Sequence, residues 1–294
     1  MSEFSTFLQL TLRSLETGSV YALMALSIII IFRTSLTLHF AQGTMAMFCT
    51  FCIAFLVNSY NLPLWLALVC GIIIAAIMAT LVDFLVIRRT NAASVDGRKI
   101  ITLGLIMVFI GLAPMIFGSN VQNLPRFIPR GDLSIAGASI SYNAILNIAS
   151  GLALMGVLFF ILQYTKFGLA IRATASNEVT ARLMGVQTKL VTLVAWIVAG
   201  ILGVVAGVMI APATTVNVGL MAPIQLAALL ACVLGGFQTF YGPVIGAYII
   251  GMLPNYLSYY GSSVWSIQIM YLLILLFLLI RPNGIIGKKF IKKV

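Results

Sequence analysis

Apolar stretches of about 20 residues follow one another along almost the whole chain, and this succession limits the fold more than any other feature. In hydrocarbon every backbone polar group needs an internal partner, so spanning structures are helices or closed barrels, and uninterrupted runs of this length read as helices. Only 8% of the residues are charged and 62% are apolar, whereas a soluble domain carries about 25% charged residues. The chain therefore reads as an all-α integral membrane protein, one transmembrane domain over residues 1–294. Its net charge of +11 does not mark a nucleic-acid surface, because the basic residues sit at segment ends rather than on one patch.

Six spans are expected first: Phe7 to Phe32, Leu36 to Val57, Pro63 to Ile87, Ile100 to Phe117, Tyr142 to Tyr164 and Leu190 to Ala211. The first has Glu3 ahead of any basic residue and no small-residue cleavage site, so it is expected to stay as a span. Arg13 and Glu16 within it are placed to form an ion pair. The region Ile224 to Leu257 is interrupted by Gly235-Gly236 and Gly242-Pro243, leaving halves too short for a full span. It is expected to form two short helices or a re-entrant hairpin with both ends on one side. A last span, Val264 to Ile280, leads to a basic tail over residues 282–294. The total is about 8–9 hydrophobic segments, one of them broken or re-entrant. Ala199, Gly203, Gly207 and Ala211, like Gly71, Ala75 and Ala79, recur at i+4 and predict close helix contacts.

Basic residues set the orientation. Placing Arg33, the loop from Arg88 to Lys99, the stretch from Lys166 to Lys189 and the C-terminal residues from Arg281 onward in the cytoplasm puts 14 of the 17 basic residues there. Only Arg13, Arg126 and Arg130 are left outside. The N-terminus is then outside and the C-terminus cytoplasmic.

The cytoplasmic stretch 166–189, KFGLAIRATASNEVTARLMGVQTK, is organised by its own capping signals. Ser176 and Asn177 are good N-cap residues, Glu178 complements the dipole of a first turn, and Gly185 is placed for a left-handed C-cap. A helix of about two turns follows, with Val179, Leu183 and Met184 on one face.

Catalytic groups are scarce. The six acids, Glu3, Glu16, Asp83, Asp96, Asp132 and Glu178, lie away from span centres, and Asp83 is placed to pair with the Arg88-Arg89 helix end. His39 is the one histidine, so neither a nucleophile–base pair nor a metal cluster can be assembled from the usual residues. Cys49 and Cys52 form a lone C-x-x-C at helical spacing, which reads as packing. No G-x-x-x-x-G-K-[ST] loop is present, so any ATP is hydrolysed by another chain.

The run FGLAIRATASNEVTARLMGV (Phe167 to Val186) resembles the cytoplasmic coupling motif of ABC importer permeases of the branched-chain amino-acid type, the LivH-type subunit. Phe167, Gly168, Arg172, Ala173, Asn177, Glu178, Val179, Ala181, Leu183, Met184 and Gly185 carry the match or the docking face it implies. GSVYALMALSIIIIF with SLTLHFAQGTMAM, and LLACVLGGFQTFYGPVIGAYIIGML, are similar to two further stretches of that family. The resemblance implies a cytoplasmic coupling helix and a bacterial inner-membrane location, in contact with membrane lipid. It implies three kinds of protein partner: a homologous second permease, two ATPase subunits holding ATP and Mg²⁺, and an extracellular substrate-binding protein, with no cofactor on this chain and no nucleic acid. It also implies a substrate pathway near His39, Phe40, Gln42, Gly43, Thr44, Gly235 and Gly236. Where the family commonly has histidine-glycine-glutamate, this chain has Gln42, Gly43 and Thr44. Branched-chain amino acids, related small amino acids, and urea or short amides are the substrate classes in view. The alternative outside this class is an ATP-independent carrier or channel. Asn217 and Gln225 read first as ordinary loop polarity, with polar contacts near the outer mouth as the alternative.

Overall fold

The computed structural model describes residues 3–87, 95–128, 131–135 and 137–287. Helix α1 (Glu3–Ser35) is 33 residues long, about 50 Å at 1.5 Å per residue, and the run Ala22–Ile31 in its second half is fully buried. The long helices that follow are α2 (Gln42–Tyr60), α3 (Leu64–Leu81, continued by a π-helical turn, Val82–Ile87), α4 (Val95–Phe117), α5 (Tyr142–Tyr164) and α8 (Thr188–Ile210); α5 and α8 pack directly on α1, whereas α3 packs on α2 and α8, and α4 on α2. Between α5 and α8 lie two short helices, α6 (Lys166–Ser176) and α7 (Glu178–Leu183). Then come α9 (Ala222–Gly235), α10 (Tyr241–Tyr260) and α11 (Ser266–Ile280). By length and composition, six of these among the described residues can cross a membrane: α1, α2, α3, α4, α5 and α8. The protein is thus an all-helical membrane protein.

The i+4 ridges pack as their spacing requires. Side chains added at Gly203 and Gly207 of α8 would meet Gln42, Ala46 and Thr50 of α2, while Gly200 faces Ala75 and Ala79 of α3. Gly71 of α3 faces Ile53 of α2. Helix α10 runs antiparallel to α1 and is stitched to it by Thr11–Tyr256 (2.7 Å), Asn255–Ser14 (2.9 Å) and Ser19–Tyr248 (3.0 Å). Gly18 and Gly251 let the two backbones touch.

Several expectations change. Helix α2 starts at Gln42, not Leu36, and residues 36–41 are a non-helical connection. Helix α4 starts at Val95, earlier than expected, so part of the basic loop is helical; residues 88–94 of that loop lie outside the described residues. The polar loop before α5 contains a two-stranded antiparallel hairpin, β1 (Asp132–Ile135) and β2 (Ala138–Ser141). Its outer edge is completed by Gln9, whose amide donates to the Ser139 carbonyl and accepts from the Ser139 N–H, both at 2.7 Å. Glu16, expected to pair with Arg13, accepts instead from the Asn147 amide of α5 at 2.8 Å. Asp83 is buried in the π-helical turn, and its expected partners Arg88 and Arg89 lie outside the described residues.

The broken region is a helical hairpin. Gly236 (φ +95°) ends α9, and α10 begins at Tyr241, so Gly242-Pro243 opens a helix instead of breaking one. The second half is 20 residues, longer than expected, because α10 runs on to Tyr260 through Pro254. After α11 the chain turns at Gly284 (φ +78°) and returns, with the Ile285 N–H on the Leu234 carbonyl at 2.8 Å. Residues 282–287 of the expected tail are therefore packed against α9, and residues 288–294 lie outside the described residues.

Candidate functional site

Two interruptions of the spanning helices carry the sequence's candidate residues. The first is the α6–α7 unit. Thr165 caps α6 by accepting from the Gly168 N–H (3.1 Å), and Gly168 lies so close to the Ile161 and Leu162 carbonyls that no side chain fits there. The polar stretch thus holds a helix of 11 residues ahead of the expected one, anchored by buried Ile171 and Thr174 and by Phe167 against the core. Ala173 lies on this helix, and Arg172 reaches Gln163 at the end of α5 through two contacts of 3.4 Å.

Helix α7 is short but closed at both ends. Asn177 accepts from the Thr180 N–H at 3.0 Å, so Asn177, not Ser176, is the cap. At the other end the Gly185 N–H meets the Arg182 carbonyl (3.1 Å) and the Val186 N–H meets that of Ala181 (3.0 Å), with Gly185 at φ +83°. These are the two bonds of a Schellman cap. Glu178 pairs with Arg182 one turn on at 2.7 Å, and both reach Thr188 of α8 at about 3.5 Å. Ala181 is buried beneath, while Val179, Leu183 and Met184 are 68%, 83% and 80% exposed. A capped two-turn knob thus leaves three apolar side chains in the open.

The second interruption lies inside the bundle. Residues 36–41 and the start of α2 bring together His39, Phe40, Gln42, Gly43 and Thr44. The Gln42 amide donates to the Ala199 carbonyl at 2.8 Å, and Ala199 is the midpoint of α8. Gln225, in the first turn of α9, accepts from the Gly43 N–H (2.7 Å) and donates to the Phe40 carbonyl. Helices α2 and α9 therefore both begin within the bundle, and one glutamine side chain satisfies the backbone exposed where they meet. Irregular backbone at membrane depth needs such enclosure. His39 is buried, its ring tilted by 53° against that of Trp196 (centroids 4.6 Å apart) with Nε2 3.1 Å from Met45 Sδ. The Thr44 hydroxyl donates to the Ala41 carbonyl (2.9 Å) and the residue is half-buried.

Gly235 and Gly236 do not join this junction. They form the far end of α9, where Gly235 touches the Gly242 backbone and Gly236 touches residues 283–287. Asn217 folds onto its own loop, accepting from the Gly219 N–H at 2.8 Å, as ordinary loop polarity. Gln225 is the residue whose role sequence reasoning missed. Its partners are more than 180 residues away, and no local spacing announces them.

Residues 10–279 match the family described as the branched-chain amino acid transport system / permease component. The chain belongs to this family. Across its full length this permease is 27% identical to the high-affinity branched-chain amino acid transport system permease protein LivH of Salmonella typhimurium, covering 100% of each chain. It is 27% identical to the probable branched-chain amino acid transport permease protein LivH of Methanocaldococcus jannaschii, over 92% of this chain and 89% of that one. It is also 26% identical to BraD of Pseudomonas aeruginosa, a permease protein of a high-affinity branched-chain amino acid transport system, over 100% of each. These relatives are named as permease components of transport systems, so the chain is a transport permease and not an enzyme.

Proposed function

We propose that the chain is the membrane permease subunit of an ABC importer that moves branched-chain amino acids across the bacterial inner membrane. Separate ATPase subunits, which hold ATP and Mg²⁺, drive it; a second, homologous permease and an extracellular binding protein complete the assembly. The observation that carries this reading is α7, which displays Val179, Leu183 and Met184 from a base fixed at both caps. That face would seat in a groove of an ATPase, and the direct turns from α6 and into α8 would pass ATPase closure to the spans as a rigid lever. In this reading Arg33, Arg172 and Lys189 mark the cytoplasmic end, the N-terminus is outside, and α9, α10 and α11 bring the passes to nine.

The path would open where α2 and α9 begin, by parting Gln225 from Phe40 and Gly43. Gln42 is bonded to the Ala199 carbonyl, so its departure from the usual family residues lies in the packing between α2 and α8. An uncharged gate suits a zwitterionic substrate selected beforehand by a binding protein. Copurification tests the class: ATPase subunits recovered with the tagged permease support the importer, whereas substrate uptake by this chain alone in liposomes supports an ATP-independent carrier. Binding of leucine, isoleucine and valine, against urea and short amides, to the cognate binding protein tests the substrate.

A further inference from the structure

At the end of the bundle that holds Arg33 and Arg172, a cavity of about 600 Å³ opens between α5, the end of α1 and the link from α9 to α10. Its rim is polar and its wall is not. Arg33 enters from α1 and Arg172 from α6, with Gln163 and Gln238 beside them. Among the described residues that line it there is no carboxylate to balance the two guanidinium groups.

Both arginines are only partly used. Arg33 donates to the Gln238 carbonyl and lies over the Phe240 ring at 5.3 Å, and Arg172 makes only the two long contacts to Gln163. The Nε–H of each is buried without a hydrogen-bond partner among the described residues. Two like charges lining one cavity with unspent donors suit an oxyanion, which a guanidinium binds through paired N–H groups.

The rest of the cavity argues for what carries that anion. It extends along α5 to Gly156, seven residues before Gln163 and so about 10 Å along the helix. A side chain at Gly156 would meet nothing within 4 Å, and Phe160 beside it is 61% exposed. The site is thus charged at one end and apolar for a helix length of about two turns, on a surface open to the hydrocarbon. We propose that it binds an anionic phospholipid, with the phosphate between Arg33 and Arg172 and one acyl chain along the Gly156–Phe160 face of α5. Basic pockets between spanning helices recognise lipid head groups by this chemistry.

Native mass spectrometry of the purified full-length permease tests it, using phosphatidylglycerol and phosphatidylcholine with identical acyl chains. The wild type should retain phosphatidylglycerol preferentially, and Arg172→Gln should cut that preference roughly fivefold, the share of one basic residue. Gly156→Leu, which fills the apolar end and leaves both arginines in place, should also lower retention while the protein stays monodisperse. Excess inorganic phosphate should leave the lipid bound, since the acyl contacts hold it. Equal retention of the two lipids, displacement by free phosphate, or wild-type behaviour of Gly156→Leu would overturn the proposal. Release of the lipid when ATPase subunits bind would assign the arginines to a protein carboxylate and overturn it as well.

Discussion

The α6–α7 unit and the junction at Gln42 and Gln225 both interrupt spanning helices, yet they are held by opposite means. Helix α7 satisfies its ends locally: every cap bond joins residues within five positions of each other, and its apolar face is left in the open. The junction satisfies its ends at long range, with one side chain from α9 and one carbonyl from α8, and almost everything in it is buried. Local closure makes a part that can move as a unit without unfolding its neighbours. Long-range closure makes a part that cannot move without parting helices, which is what a gate requires.

The widest separation of the two regions is expected from a charge placed on the exposed face. Leu183→Glu should abolish copurification with ATPase subunits, while the unfolding midpoint of the isolated permease stays near wild type, because an exposed substitution shifts stability by only about 0.5 kcal/mol. Gln225→Leu should do the reverse. It leaves the Gly43 N–H and the Phe40 carbonyl unpaired in an apolar interior, at about 1–3 kcal/mol each, so thermal unfolding should fall markedly while ATPase binding by the folded fraction persists. Gly203→Val sharpens the same side of the comparison. Its added carbons meet Gln42 and Ala46, and overpacking of this kind costs about 1–3 kcal/mol, read as a lower unfolding midpoint. The smallest effect is expected from Asn177→Ala, which removes one cap worth about 1 kcal/mol and should weaken coupling by degrees without touching the bundle.

The same contrast explains what could be read from the chain. Asn177, Glu178 and Gly185 announce α7 because capping chemistry is written within a few residues. The ridges at Gly203 and Gly71 are legible for the same reason, since i+4 spacing is local even when the partner is not. Helix α6 was hidden because its start depends on Thr165 and on the contact of Gly168 with the α5 carbonyls, not on a strong N-cap signal inside the polar stretch. The late start of α2 was hidden because residues 36–41 are as apolar as the span they precede, and only Gln225 and Ala199 fix where the helix begins. The length of α10 is not legible because Gly242-Pro243 reads as a break, although proline near a helix start is compatible with the first turn.

The central claim is that α7 transmits ATPase motion to the spans through a face whose shape its caps preserve. The most direct measurement is substrate-stimulated ATP turnover of the reconstituted importer, with its binding protein, carrying Glu178→Arg. That change sets like charges at positions 178 and 182, where the structure has an ion pair of 2.7 Å. Loss of the stimulated turnover with the permease still folded in the membrane is the predicted result; stimulation equal to wild type would contradict the account.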